Sequence, residues 1–255
     1  MKDLIFAIRS GFGFLSTIPV GISMEGIESL MRHVYIFPLI GASLGILFAA
    51  AALVLGYLLP ASMTAIGLLL VIYRICGINH LDGLGDFGDG VTAHGDPEKK
   101  IRALKDVYLG SGAALFIIMV ILTEFSTLSS IAPSALPWVL VAAEVGAKQA
   151  MLTFAAFSAP FHRGFGSIMI EKTNAKHFIA GLAMSAVLCS AALGWQGLVV
   201  LMVAAASALY LARVSARNFG GGSGDGIGAS NEIARTLALL TALALQSGVT
   251  SWMPW

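Results

Sequence analysis

The 255-residue sequence predicts an all-α protein, a polytopic integral membrane bundle of about seven spans with an additional N-terminal interfacial or re-entrant helix. Three observations carry that expectation. Composition is 57% hydrophobic and 11% charged, against roughly 25% charged residues in soluble chains. Apolar runs of bilayer-crossing length, about 20 residues, recur along the chain. Charged residues gather in alternate connections rather than in all of them. A net charge of +1 excludes the broad basic field of a nucleic-acid binder, so any anionic ligand must be held locally. Cys76 and Cys189 lie far apart in apolar runs, without metal or redox spacing, and read as packing residues.

The elements follow in order. Residues 1–34 lack a signal-peptide pattern, because Arg9 interrupts the apolar stretch from Leu4 to Val20 and no small-residue cleavage site follows. Gly11, Gly13, Pro19 and Arg9 suit an interfacial or re-entrant helix there. Spans are expected at Tyr35–Leu59, Ala61–Asn79, Leu109–Ala132, Pro137–Ser158, His177–Leu193, Trp195–Ala212 and Thr236–Thr250. The fourth carries Glu144 and Lys148, spaced to pair one helical turn apart, whereas Glu124 in the third has no evident partner. Arg74 closes the second span, where it can snorkel.

With seven spans, every Lys and Arg of the 15 except Lys148 falls on one face, which the positive-inside rule makes cytoplasmic. Arg213, Arg217 and Arg235 read as helix-end residues of that face. The connections opposite are short turns at Pro60, Pro133–Pro137 and Gly194, and Trp252 and Trp255 of the tail would sit at the outer interface. One catalytic domain is expected over 1–255, with polar segments 79–108, 159–176 and 213–235 on the cytosolic side of the cell membrane. Placing the polar residues at one mouth favours an enzyme over a transporter, which needs polar sites at mid-membrane.

The first polar segment reads Asn79-His80-Leu81-Asp82-Gly83-Leu84-Gly85-Asp86-Phe87-Gly88-Asp89-Gly90. In a helix, Asp82, Asp86 and Asp89 share a stripe, with the outer two roughly 10 Å apart along the axis. Such a stripe can flank two divalent ions about 3.5–4 Å apart, the arrangement that bridges a diphosphate and supports in-line phosphoryl transfer. Three aspartates can also merely solvate a loop, but four interspersed glycines each destabilise an exposed helix by about 1 kcal/mol and imply that another helix or a ligand packs closely. Asn79 lies nearer the stripe than His80, which reads as a hydrogen-bonded interfacial residue.

Asp96-Pro97-Glu98 opens a short helix bearing Lys99, Lys100, Arg102 and Lys105, cations for lipid headgroups or an anionic substrate, and Asp106 follows. The third polar segment, Asn218-Phe219-Gly220-Gly221-Gly222-Ser223-Gly224-Asp225-Gly226-Ile227-Gly228-Ala229-Ser230-Asn231-Glu232, has backbone N–H groups able to cradle an anion, though it is neither a Walker A loop nor a dinucleotide fingerprint.

Together HLDGLGDFGDG, KDVYLGSG and GGGSGDGIGASNE, with FLSTIPV and FPLIGASLG near the N-terminus, resemble the cobalamin synthase family, the membrane-bound adenosylcobinamide-GDP ribazoletransferases, over nearly the whole chain. Tyr108 and Ala113 depart from that pattern, where the family often has arginine and glycine. The resemblance implies Mg²⁺-dependent joining of adenosylcobinamide-GDP to α-ribazole or its 5'-phosphate, with release of GMP. Asp82, Asp86 and Asp89 are the candidate metal ligands, and Asp89 or Asp106 the candidate base. Substrate contacts are expected from Asn79, Lys99, Lys100, Arg102, Lys105, Gly222, Asp225, Asn231 and Glu232. Lipid is a further expected partner, nucleic acid is not, and a homo-oligomer stays open. CDP-alcohol phosphotransferases, UbiA-like prenyltransferases and a secondary transporter are the alternatives.

Overall fold

The computed structural model describes residues 2–21, 23–161 and 164–246. Those residues form twelve α-helices and no strand beyond a single bridge between Pro160 and Gly222. An N-terminal pair, α1 (Lys2–Leu15) and α2 (Met24–Arg32), packs helix on helix and meets the rest of the protein through both of its members. Ser23 caps α2 through its side-chain oxygen, and Asp3 ties α1 to α2 by accepting from Ser29 and Arg32. This is the expected N-terminal helical element, built as two helices rather than one.

The bundle follows with α3 (Phe37–Leu58), α4 (Ala61–Cys76), α7 (Ser111–Ser130), α8 (Leu136–Ala156), α10 (Ala175–Leu193), α11 (Trp195–Phe219) and α12 (Gly224–Gln246). Three shorter helices, α5 (Asn79–Thr92), α6 (Pro97–Leu104) and α9 (Phe165–Lys172), gather at one end. Among the described residues, five helices are long and apolar enough to cross a membrane: α3 with the turn before it, α7, α8, α10 and α11. The count becomes six if α4 and α5, bent by 94°, are taken as one broken span. Length and apolarity among the described residues thus account for five or six of the about seven expected spans. At 16 residues α4 is short, and α12 carries Asp225, Glu232 and Arg235 along its first half. Residues 247–250 of the seventh expected span, and the tail with Trp252 and Trp255, lie outside the described residues, as do His162 and Arg163.

Core position follows from composition. The central helix is α8, nearly all of whose residues are buried, with α3, α10, α11 and α12 packed around it. Outward faces of the surrounding helices remain apolar and exposed, with Val54, Tyr57, Leu70, Val187 and Met202 all more than half accessible. Such faces suit acyl chains, which offer no competing polar group. Cys76 and Cys189 are buried free thiols, as expected of packing residues.

Gly77 makes the bend that places the polar end. Its φ of 75° is left-handed backbone, where a side chain would be strained, and it turns α5 away from α4 across the end of the bundle, outside the five spans. Thr17 braces the bend: its N–H donates to the Ile75 carbonyl at 2.7 Å and its hydroxyl to that of Arg74 at 2.8 Å. Arg74 in turn donates to the Thr17 hydroxyl at 3.2 Å, a fixed position rather than a free snorkel.

Candidate active site

All three polar segments meet at the α5 end. The α5 stripe packs on the start of α12 at Gly83, where an added Cβ would stand 3.0 Å from the Asp225 Cα. The reverse contact lies one helical turn further along α12, where a Cβ on Gly228 would stand 3.2 Å from the His80 Cα. The glycines of the motif thus serve helix-on-helix approach. Pairing of Pro160 with Gly222, the Phe161 ring tilted against Phe219, and a Lys100 ammonium donating to the Asn218 side chain join the other segments to this end.

The approach of α12 brings Asp225 to the aspartate stripe. Asp86 is half-buried, and burial pushes its carboxyl up to about 7, with the neighbouring charges of Asp225, Asp82 and Asp89 adding to the rise. A cation bound beside Asp86 would offset these like charges and return its carboxyl to the ionised form. Among the described residues, however, no three His, Cys, Asp or Glu side chains are gathered tightly enough to hold a metal unaided. Asp82, Asp86 and Asp89 thus form no closed three-carboxylate cluster among the described residues. The four- and three-residue spacings spread the stripe along the helix, and the Asp89 carboxylate at its end is engaged by backbone N–H groups of α7. A magnesium ion suits such an open set, since it keeps several waters and binds through one or two carboxylates plus substrate phosphates.

Asp89 caps α7. Its two carboxylate oxygens accept from the backbone N–H of Gly110 at 2.8 Å and of Ala113 at 2.9 Å, satisfying donors that every helix N-terminus leaves unpaired. The glycine approach of KDVYLGSG exists for this contact, because a Cβ on Gly110 would fall 2.3 Å from Asp89 Oδ1. A carboxylate committed in this way is a poor base, and that expectation for Asp89 is corrected to a cap. Asp106, exposed, accepts only from the Tyr108 N–H at 3.2 Å and opens with Asp89, Thr92, His94 and Ser111 onto a polar pocket of about 320 Å³.

The remaining candidates separate into two groups. Asn79, Lys99, Arg102 and Lys105 are exposed at the polar end, where Asp96 caps α6 by accepting from the Lys99 N–H at 2.9 Å. Gly222, Asn231 and Glu232 do not face a ligand. The Gly222 N–H donates to the Ala159 carbonyl at 2.7 Å, so the glycine-rich turn spends that donor on the protein. Asn231 and Glu232 are 0% and 1% exposed.

Both belong to a network invisible in the motif. Arg235 donates through Nε to Glu144 at 2.6 Å and through Nη1 to Glu232 at 2.7 Å, with Glu124 at 3.9 Å. Lys148 donates to Asn231 at 2.7 Å and to Glu144 at 3.3 Å, as its spacing from Glu144 predicts. Glu124, without an evident partner in its own span, accepts from Thr236 at 3.1 Å and Tyr73 at 3.3 Å. Arg235 is thus a core residue and not a helix-end one. The signal was available: Asp225, Glu232 and Arg235 recur at helical spacing on one side of α12, and intramembrane acids outnumber Lys148. His80 lies between network and stripe. Its Nδ1 is buried with no hydrogen-bond partner, contrary to the expected bonded residue, and burial, then Lys148 and Arg235, lower its pKa to about 3.

This combination defines a membrane-embedded helical protein with a carboxylate-rich polar end and a charged core beneath it. A family model described as cobalamin-5-phosphate synthase matches residues 7–243. The chain is 42% identical to the adenosylcobinamide-GDP ribazoletransferase of Methanosarcina barkeri, over 99% of this chain and 97% of that protein. It is 40% identical to the protein of the same name from Methanococcoides burtonii, over the full length of both. No solved structure matches. The chain belongs to the cobalamin-5-phosphate synthase family, whose members are transferases of cobalamin biosynthesis.

Proposed function

We propose that this chain joins adenosylcobinamide-GDP to α-ribazole, or to α-ribazole 5'-phosphate, in a Mg²⁺-dependent reaction that yields adenosylcobalamin or its 5'-phosphate together with GMP. Family membership supports the substrates, and the observation that carries the chemistry is the half-buried Asp86 among the charges of Asp82, Asp89 and Asp225.

A ribose hydroxyl of α-ribazole forms the new P–O bond at the phosphorus bearing the corrinoid aminopropanol, and the diphosphate P–O bond to GMP breaks. The bound cation would neutralise the diphosphate and the departing phosphate. Asp86 with one neighbouring carboxylate, Asp82 or Asp225, would hold it together with the substrate's phosphate oxygens. Asp106 opens onto the polar pocket with a lightly engaged carboxylate, so it orients the hydroxyl and receives its proton, in place of Asp89. Lys99, Arg102 and Lys105 draw the anionic substrate to this end, and Asn79 flanks it.

The protein is proposed to reside in the cell membrane among lipids, with this end in the cytoplasm. The charges that kept a transporter open, Glu124, Glu144 and Lys148, are engaged by one another and by Arg235, Tyr73 and Thr236. Purified protein in liposomes, given both substrates, should form GMP and cobalamin with Mg²⁺ and neither with a chelator. Unchanged turnover in Asp82→Asn and Asp86→Asn at limiting Mg²⁺ would remove the assignment.

A further inference from the structure

Charges inside a membrane bundle are costly, and replacing them with apolar groups is often neutral or stabilising, so a retained set is best understood through the arrangement it specifies. Here the set lies on one helix with a site residue. Asp225, Gly228, Glu232 and Arg235 recur along one side of α12 at spacings of three and four, from the carboxylate cluster to the ion pairs. We propose that Arg235, Glu144 and Glu232 are positioning residues: their pairing sets the depth and rotation of α12 and thereby holds Asp225 against the α5 aspartates.

Geometry makes this specific. Arg235 uses different nitrogens for Glu144 on α8 and Glu232 on its own helix, at 2.6 and 2.7 Å, which fixes a planar guanidinium in two directions. Asn231 adds a second link to α8 through Lys148, and all of these side chains are 2% exposed or less. At the other end of the stripe, Gly83 and Gly228 leave no slack: a Cβ at either would stand 3.0–3.2 Å from backbone of the facing helix. Rotation or sliding of α12 would therefore displace Asp225 and collide with α5. Glu124 is different. Its carboxylate is met by the hydroxyls of Tyr73 and Thr236, and its nearest Arg235 nitrogen is at 3.9 Å. It ties α7 to α12 through hydroxyl donors, which the amide oxygen of a glutamine can still accept, so it stands apart from the close ion pairing.

The proposal rests on the metal-assisted reading of the site, and its test carries one arm independent of turnover. Nitroxide labels on Glu98→Cys and Gly224→Cys report α12 against α6, which packs on α5; both positions are exposed, a side chain at Gly224 has 3.7 Å of room, and the native cysteines are buried. In Arg235→Gln the label distance should shift or broaden by about 2 Å or more. In the unlabelled enzyme kcat should fall about 100-fold and the Mg²⁺ needed for half-maximal rate should rise, with the KM for α-ribazole within about twofold. Glu144→Gln should behave alike and provides the test if Arg235→Gln does not fold. The double variant Arg235→Gln with Glu144→Gln, which removes one charge of each sign, should be no worse than either single variant. Glu124→Gln should leave distance and turnover unchanged. Unchanged label distance in the folded single variants, additive losses in the double variant, or an equal loss in Glu124→Gln would each overturn the positioning role. If the unsubstituted protein made no product from these substrates, the functional reading would fall while the label distances still decided the positioning.

Discussion

At the scale of single residues, Asp86 and Asp89 are three positions apart on one helix and do opposite work. Asp86 sits among Asp82, Asp89 and Asp225 and, without a cation, is pushed up to about 7 by burial first and those charges next. Protonation then favours the cation-free fold, because the folded value exceeds the ordinary carboxylate value of 3.8. Asp86 should make the cation-free protein lose stability as pH rises from about 4 through 7, and Asp86→Asn should remove that contribution. After solvent screening the gain at pH 8 is about 1 kcal/mol, roughly 2–4 °C in melting temperature, while turnover is lost. Mg²⁺ binding must displace the same proton, so the Mg²⁺ requirement should rise as pH falls below about 7, by up to tenfold per unit. A Mg²⁺ requirement flat from pH 6 to 8 would show that Asp86 does not hold the ion. Asp89, with both oxygens on the N-terminus of α7, should behave as a structural residue: Asp89→Ala should lower the stability of cation-free protein by about 1–2 kcal/mol in a thermal or denaturant melt, a loss that Asp82→Asn does not share.

At the scale of elements, the α5 crossing of α12 joins sequence motif to site. A Gly83→Leu substitution would place its branched side chain where Asp225 backbone lies 3.0 Å from a Cβ, forcing the helices apart. Turnover should drop at least about 100-fold, with the bundle still folded by circular dichroism. Motif reading placed the aspartates on one helical stripe and inferred close packing from the glycines, and both hold in α5 because local propensity and spacing are encoded within a dozen residues. It extended the second span to Asn79, whereas the helix stops at Cys76, because the apolar run continues through a bend that only the Gly77 backbone reveals. Asp89's partner lies 21 residues away, and Arg235's partner Glu144 lies 91 residues away. Contacts of that separation are made by packing, which periodicity does not encode. Gly222 and Glu232 read as ligand contacts as parts of the glycine-rich motif, but their own hydrogen bonds are turned into the protein.

At the scale of the molecule, one end carries the carboxylates, α6 with its cations and the α9 connection, and the other carries short turns at Pro60, Pro133 and Gly194. Odd and even connections therefore separate by polarity, and the contacts among the α5, α9 and α12 starts hold the polar set together: Gly166 approaches Gly224 so closely that a Cβ on Gly166 would lie 2.3 Å from its Cα. An insertion that put Asp82 and Asp225 on opposite faces is incompatible with these contacts, so topology is a direct test of the shared site. Single cysteines at Glu98 and Glu171, both exposed at the polar end, should react with a membrane-impermeant maleimide in inside-out vesicles and not in intact cells. Cysteines at Pro133 and Gly194 should show the reverse. The native Cys76 and Cys189, 7% and 0% exposed, contribute little background. Labelling of Glu98 and Gly194 positions from the same side would break the orientation of the bundle. Labelling of Glu98 and Glu171 positions from different sides would break the polar end itself, and with it the carboxylate cluster on which the proposed chemistry depends.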